Sequence, residues 1–404
     1  MKRKLIALIY LTLLTGWLEA QEFSVSDQSQ IDTVLSEGIA EFNIPGVVGL
    51  VTNKDQVIYQ GAFGKADIQN NVEMRTDNIF RIASMTKPIT SAAVMLLIEQ
   101  NKLKLNNPIS NFLPQLANRE IFTNFNFEDG TYETKPAQNE ITIKHLLTHT
   151  SGLAYWFNSH QLVKLGNGGI VASWFYPLHH EPGERWTYSD ATAVLGDLIV
   201  EVSNQDLFEF IDENLLTPLG MEETFFNVPG NETGRVVTAH RKVESKFVEV
   251  PNPSQITAAE RGDGGLSSTA ADYAKFMRMF LNDGKSDTGT RVLLKETIEL
   301  MSMNHIGELK AELQPSANSY WAEPFPQGAG VDNWGLGFQL AGEGGRNKRS
   351  KGSMTWGGIY NTKFWIDEEN GIAAILLMQY LPFDDEAALS VLGQFEVAIY
   401  KILH

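Results

Sequence analysis

Ser84-Met85-Thr86-Lys87 stands where the pattern of the chain changes. Before it, Ile79-Phe80-Arg81-Ile82-Ala83 reads as extended and apolar, and after it Ile89 to Ile98 reads as a buried helix. Ser84 therefore falls at the helix entrance. Residues three apart share a helix face, which brings the Lys87 amine within hydrogen-bond reach of the Ser84 hydroxyl. An amine among apolar helix residues is pushed toward its uncharged form and can act as a base. Pro88 suits this start, because the first NH groups of a helix have no intrahelical partner. The same four residues also fit a capping serine followed by a solvated lysine, so the choice rests on the remainder of the chain.

The chain has 404 residues, 43% hydrophobic and 10% aromatic, enough for a large core in two domains or one two-lobed unit. A formal charge of -17 argues against nucleic acid or an anionic membrane as partner, since both require basic patches. Met1-Lys2-Arg3-Lys4, the apolar run from Leu5 to Trp17 and Ala20 form the pattern of a signal peptide over residues 1–20. A membrane anchor would need about 20 continuous apolar residues, and Thr12, Thr15 and Gly16 interrupt this run. Cysteine is absent, which excludes a disulfide framework, a thiolate nucleophile, a thiolate metal site and a lipid-modified cysteine. The expectation is an exported bacterial protein, periplasmic or extracellular, with no stable membrane anchor after cleavage. Oligomeric state has no signature in the sequence.

Gln30 to Phe42 has helical spacing, whereas Val47–Thr52 and Val57–Phe63 form a hairpin through Asn53-Lys54-Asp55. Residues 105–255 are poor in strand signals. Within them Thr142 caps Ile143–Leu147, and Ala191–Val202 and Asp206–Leu216 read as helices. Ser268-Thr269 caps a further helix. Strands are expected at Gly335–Leu340, Ser353–Trp356, Thr362–Ile366 and Ile372–Gln379, with Glu369-Asn370-Gly371 as a turn, before a helix over Asp385–Ile402. This order predicts a two-lobed α/β fold. Residues 21–104 and 256–404 would build an antiparallel sheet flanked by the N- and C-terminal helices, and 105–255 an inserted all-helical lobe.

Two further constellations bear on Ser84. In Glu181-Pro182-Gly183-Glu184-Arg185-Trp186-Thr187-Tyr188-Ser189-Asp190, Pro-Gly forces a turn and places Tyr188 on a loop before a helix, either facing a cleft or packed with its hydroxyl on backbone. Trp356-Gly357-Gly358 lies on a predicted strand, where paired glycines mark a close approach to the backbone or a bulge.

Together with Ile141–Leu153 and Gly264-Gly265-Leu266-Ser267-Ser268-Thr269, these motifs resemble the serine hydrolases that include class C β-lactamases, penicillin-binding DD-peptidases and family VIII carboxylesterases. The resemblance spans most of the chain. It implies a β-lactamase/transpeptidase-like fold, with Ser84 as the acylated nucleophile and Lys87 and Tyr188 sharing the work of general base. The oxyanion hole would be the backbone NH groups of Ser84 and Ile359. Trp356, Gly357, Gly358 and Asp190 would contact substrate, Asp190 standing where the lactamases carry asparagine and adding a carboxylate near Lys87. Trp356 replaces a cation that helps lactamases hold the substrate carboxylate, and the nearby cations are Lys363 and Lys351. The implied substrate is therefore a neutral ester, as in family VIII. The alternatives are a β-lactam, a D-amino-acid peptide or another amide, or a non-catalytic penicillin-binding sensor. Tyr320-Trp321 and Phe325 are candidates for the acyl pocket. His145 and His149 have a helical zinc-ligand spacing, but Leu146 stands where zinc proteases carry glutamate, so no metal is expected, nor any cofactor. The chain contains no Gly-x-Ser-x-Gly.

Overall fold

Val48 and Leu50 point to one side of the first strand and Val47 and Val51 to the other, and all four are buried. A strand with apolar residues on both faces belongs in a sheet covered on both sides. A computed structural model describes residues 22–404 apart from 167–170, 245 and 251–259. The expected leader, residues 1–20, lies outside the described residues. The strands of the main sheet are β1 (Gly46–Asn53), β2 (Val57–Asp67), β3 (Val72–Glu73), β4 (Asn333–Trp334), β5 (Gln339–Leu340), β6 (Met354–Gly358), β7 (Thr362–Asp367) and β8 (Ile372–Leu377). Their order is β4-β5-β6-β7-β8-β1-β2-β3, and all neighbours are antiparallel. The seam between the two ends of the chain is β1 on β8, with Val48 opposite Leu377 and Asn53 opposite Ile372.

The longer helices are α1 (Val25–Glu41), α2 (Thr86–Glu99), α3 (Ala191–Ser203), α4 (Ala270–Leu281) and α5 (Glu386–Leu403). On one face, Ile31 and Leu35 of α1 and Val391 and Phe395 of α5 bury Val47, Val51 and Trp365. On the other, Tyr273, Phe276 and Phe280 of α4 join the α2 residues Ile89 and Ala93 in a core that continues into the second lobe. Helix α1 starts five residues before Gln30, because Ser24 and Asp27 form a reciprocal capping box. Thr269 and Asp385 cap α4 and α5.

The inserted lobe is not all-helical. Glu120–Phe125 pairs with Tyr132–Pro136, and His240–Val243 pairs with Lys246–Glu249. Their strands are mostly exposed or half-buried, so no apolar alternation marks them; Phe122 and Tyr132 meet edge to face at 5.1 Å in the first. Gly335–Leu340 is not one strand either, because Gly335 N–H bonds to the Phe338 carbonyl and folds the segment into a turn between β4 and β5.

The short strand Phe80–Arg81 pairs with Ser267–Ser268, and the chain then passes through a 3-10 turn at Ala83–Met85 into α2. This turn docks on the end of β6. A Cβ on Gly358 would lie 2.3 Å from the Ile82 carbonyl oxygen and 2.4 Å from Thr362 Oγ1. The close approach marked by the paired glycines is thus made by the chain's own backbone, two residues before Ser84. Gly358→Ala should cost about 1–3 kcal/mol through overpacking, seen as a lowered midpoint in calorimetry. Gly393→Ala on the exposed side of α5, where a Cβ meets nothing within 4 Å, should instead be neutral or stabilising. Equal midpoints for the two variants would refute the docking role of Gly358.

Candidate active site

Ala83 has φ 44°, a strained value for a residue with a side chain. It turns the chain out of its strand so that Ser84, partly exposed, precedes the first turn of α2. Lys87 follows one turn later and is only 1% exposed. Its Nζ lies 3.2 Å from Ser84 Oγ, 2.8 Å from Tyr155 Oη and 2.5 Å from the Asp263 carbonyl oxygen. Two hydroxyls, which can accept or donate, and one carbonyl thus surround the amine with hydrogen-bond partners. The lysine is therefore not a solvated residue after a cap, and its surroundings are polar where the apolar pattern of α2 had suggested otherwise.

Tyr188 arrives from the loop before α3, and its hydroxyl is 2.8 Å from Ser84 Oγ. Its ring is fixed among His149 (4.9 Å between centroids), Tyr155 (5.1 Å), Phe325 (5.4 Å) and Trp356 (4.9 Å). Trp356 itself is 4% exposed and packs against Trp334 as well. The even-numbered residues of β6 face the core, so Trp356 sits behind Tyr188 and does not line the cavity at Ser84. Gly357 lies against the Lys363 side chain, and Gly358 against Ile82. His145 and His149 do not share a helix face: the helix ends at Leu147, and His149 adopts φ 54°. Thr142 caps that helix, its Oγ1 accepting from the His145 N–H while His145 Nδ1 accepts from the Thr142 N–H, and burial and the nearby Lys87 push the His149 pKa well below the usual histidine range.

Tyr155, Arg261 and Asp263 carry no motif in the sequence, yet they complete the cluster. The Tyr155 hydroxyl donates to the Asp263 carboxylate, which Arg261 also grips at 3.0 and 3.1 Å. Burial and the Asp263 charge raise the Tyr155 pKa well above its usual value, so it remains a donor. Burial alone would raise the Asp263 pKa, but Lys87, Arg261 and the hydrogen bonds outweigh it and hold the carboxyl below the usual value.

Ser84 opens into a cavity of about 460 Å³ lined by Trp156, Phe157, Phe226, Trp321, Ile359 and Tyr360, with Arg81, Tyr155 and Asp263 among its polar groups. The N–H of Ile359, just past the end of β6, is free of backbone partners among the described residues. Trp321 is on the cavity wall; Phe325 is buried against Tyr188, and Tyr320 packs under Arg241. Lys363 is engaged by Asp384 and Lys351 is exposed on a turn, so neither replaces a cation at position 356.

Asp190 makes no hydrogen bond or ion pair with Lys87 among the described residues. Its carboxylate accepts from the Ser173 backbone N–H at 2.9 Å and from the Ser173 hydroxyl, fastening the Ser173–Phe175 turn. Burial, then the Asp263 charge, raise its pKa from 3.8 to about 6 against those hydrogen bonds. The folded state thus binds this proton more tightly than the unfolded state, and the ionised form is the destabilised one. Stability from this group is full below about pH 4, is lost as pH rises through about 6 and then levels off, with a span of up to about 3 kcal/mol. Asp190→Asn should therefore gain in midpoint relative to the parent chain between pH 4 and pH 7, measured by thermal unfolding at both pH values. A gap unchanged with pH would refute this.

The beta-lactamase family matches residues 31–395. Protein Rv1367c of Mycobacterium tuberculosis is 33% identical over 92% of this chain and 94% of its own length. Esterase EstB of Burkholderia gladioli is 26% identical over 89% and 93%. Among solved structures, the LovD6 mutant of simvastatin synthase from Aspergillus terreus superposes with a TM-score of 0.80 at 25% identity, covering 94% of this chain and 96% of that one. The fold is β-lactamase/transpeptidase-like, and the chain is an enzyme of the serine hydrolase and acyltransferase kind. On the extent of these matches, the chain belongs to the beta-lactamase family.

Proposed function

We propose that the protein is an exported serine esterase that forms an acyl-enzyme at Ser84. The observation that carries this reading is the position of Ser84 Oγ, 2.8 Å from Tyr188 Oη and 3.2 Å from Lys87 Nζ at the mouth of a mostly apolar cavity. Ser84 Oγ attacks the ester carbonyl carbon while its proton passes to the Tyr188–Lys87 pair. The carbonyl oxygen gathers negative charge between the Ser84 and Ile359 N–H groups. The C–O bond to the alcohol then breaks, and the alcohol leaves with the proton the pair had taken. Water, activated by the same pair, attacks the acyl-enzyme and releases the acid. Tyr155 and Asp263 act as positioning residues for the Lys87 amine.

The esterase name of the Burkholderia relative supports ester over lactam as substrate. The absence of a cation from position 356 points the same way, since a strand cation there would hold a lactam carboxylate. The basic and apolar pattern of residues 1–20 supports export. Ser84→Ala should lower kcat on p-nitrophenyl butyrate by about 1,000-fold or more and abolish labelling by a fluorophosphonate. The intact protein should turn over a chromogenic cephalosporin weakly or not at all. Fast cephalosporin turnover without esterase activity would favour the β-lactamase alternative, and failure to label Ser84 would favour a non-catalytic sensor.

A further inference from the structure

One charged group in the cavity has no counter-ion. Arg81 lies three residues before Ser84 on the short strand paired with Ser267–Ser268, and both it and Ser84 line the same cavity. Its backbone is fixed, the N–H donating to Gln379 Oε1 at 2.8 Å. Its guanidinium makes no ion pair and no side-chain hydrogen bond among the described residues, and its Nη1 is buried without a partner. Burial lowers its pKa from the usual arginine value, as expected of a cation taken out of water without compensation. The other charged groups of the cavity, Arg261 and Asp263, satisfy one another. A half-buried, unpaired guanidinium is costly to maintain, and the planar fork it presents matches a carboxylate.

We propose that Arg81 is a specificity-determining residue that binds a carboxylate on the acyl part of the substrate, so that the preferred substrates are esters whose acyl chain ends in a free acid. This rests on the esterase reading of Ser84. The acyl side is assigned because Tyr188, which returns the proton to the leaving alcohol, is not on the cavity wall, whereas Ile359, Tyr360 and Arg81 are. Arg81 enters the cavity from the short strand paired with Ser267–Ser268, whereas position 356 faces the core, so Arg81 does not replace a cation there. The enzyme prefers anionic esters, against the neutral substrate that Trp356 suggested. In the reaction the carboxylate takes no part in bond making; it pairs with Arg81 while Ser84 acylates and water deacylates.

The test compares mono-p-nitrophenyl glutarate with its methyl-capped, uncharged counterpart. The intact enzyme should favour the anionic ester in kcat/KM by about tenfold or more. That ratio should fall at least tenfold in Arg81→Gln and less in Arg81→Lys, which keeps the charge. A measurement on the unmodified enzyme removes any dependence on variant folding: glutarate should inhibit turnover of p-nitrophenyl butyrate competitively at concentrations where glutaramide does not. Equal inhibition by the two, or the same ester ratio in Arg81→Gln as in the intact enzyme, overturns the assignment of Arg81. Turnover of the uncharged ester with no preference for the anionic one overturns that assignment alone. Turnover of neither ester, with no fluorophosphonate label on Ser84, overturns the esterase reading and the Arg81 assignment with it.

Discussion

An amine closed off from water must find its hydrogen bonds within the protein, and the Lys87 amine finds them on three separate segments. Ser84 supplies one from the preceding turn, Tyr155 one from the inserted lobe and Asp263 one from the chain that returns to the sheet. That nitrogen is thus one point at which the two lobes meet, beside the core they share. Each partner is held in turn: Tyr155 by Asp263, Asp263 by Arg261, and Ser84 by the strained Ala83 turn seated on Gly358. A network of this kind is stabilising only when every member is satisfied, which favours one arrangement of the lobes over all others.

The same economy shapes the tyrosine. Among the described residues the Tyr188 hydroxyl bonds to Ser84 alone, while its ring is wedged by aromatic neighbours. Packing fixes the direction in which the hydroxyl points without consuming the hydroxyl itself. Trp356 contributes to that wedge from the core face of its strand.

Ser84, Lys87 and the strands β1, β2, β6, β7 and β8 were legible in the sequence because their relations are local: a helical spacing of three, an apolar period of two and caps at helix starts. Tyr155 and Asp263 were not, since they reach Lys87 across 68 and 176 residues and are of common types. Trp356 was expected to touch substrate from the family resemblance, whereas strand parity places it with Met354 in the core. Asp190 was set near Lys87 by the family resemblance, whereas Ser173, on a separate turn, claims the carboxylate. The hairpin Glu120–Phe125 with Tyr132–Pro136 escaped notice because its strands lie on the surface, where hydrophobic alternation has no core to answer to.

The seating of the Ser84 turn on β6 also has a meaning in time. Thr362 bonds the Ile82 carbonyl across 280 residues, and β1 finds its neighbour β8 only when nearly the whole chain is present. Contacts of such separation form late, after shorter loops have closed. A chain still emerging from the ribosome has its serine but nothing to seat it. The reactive centre is therefore silent during synthesis, and it comes into being together with the completed fold.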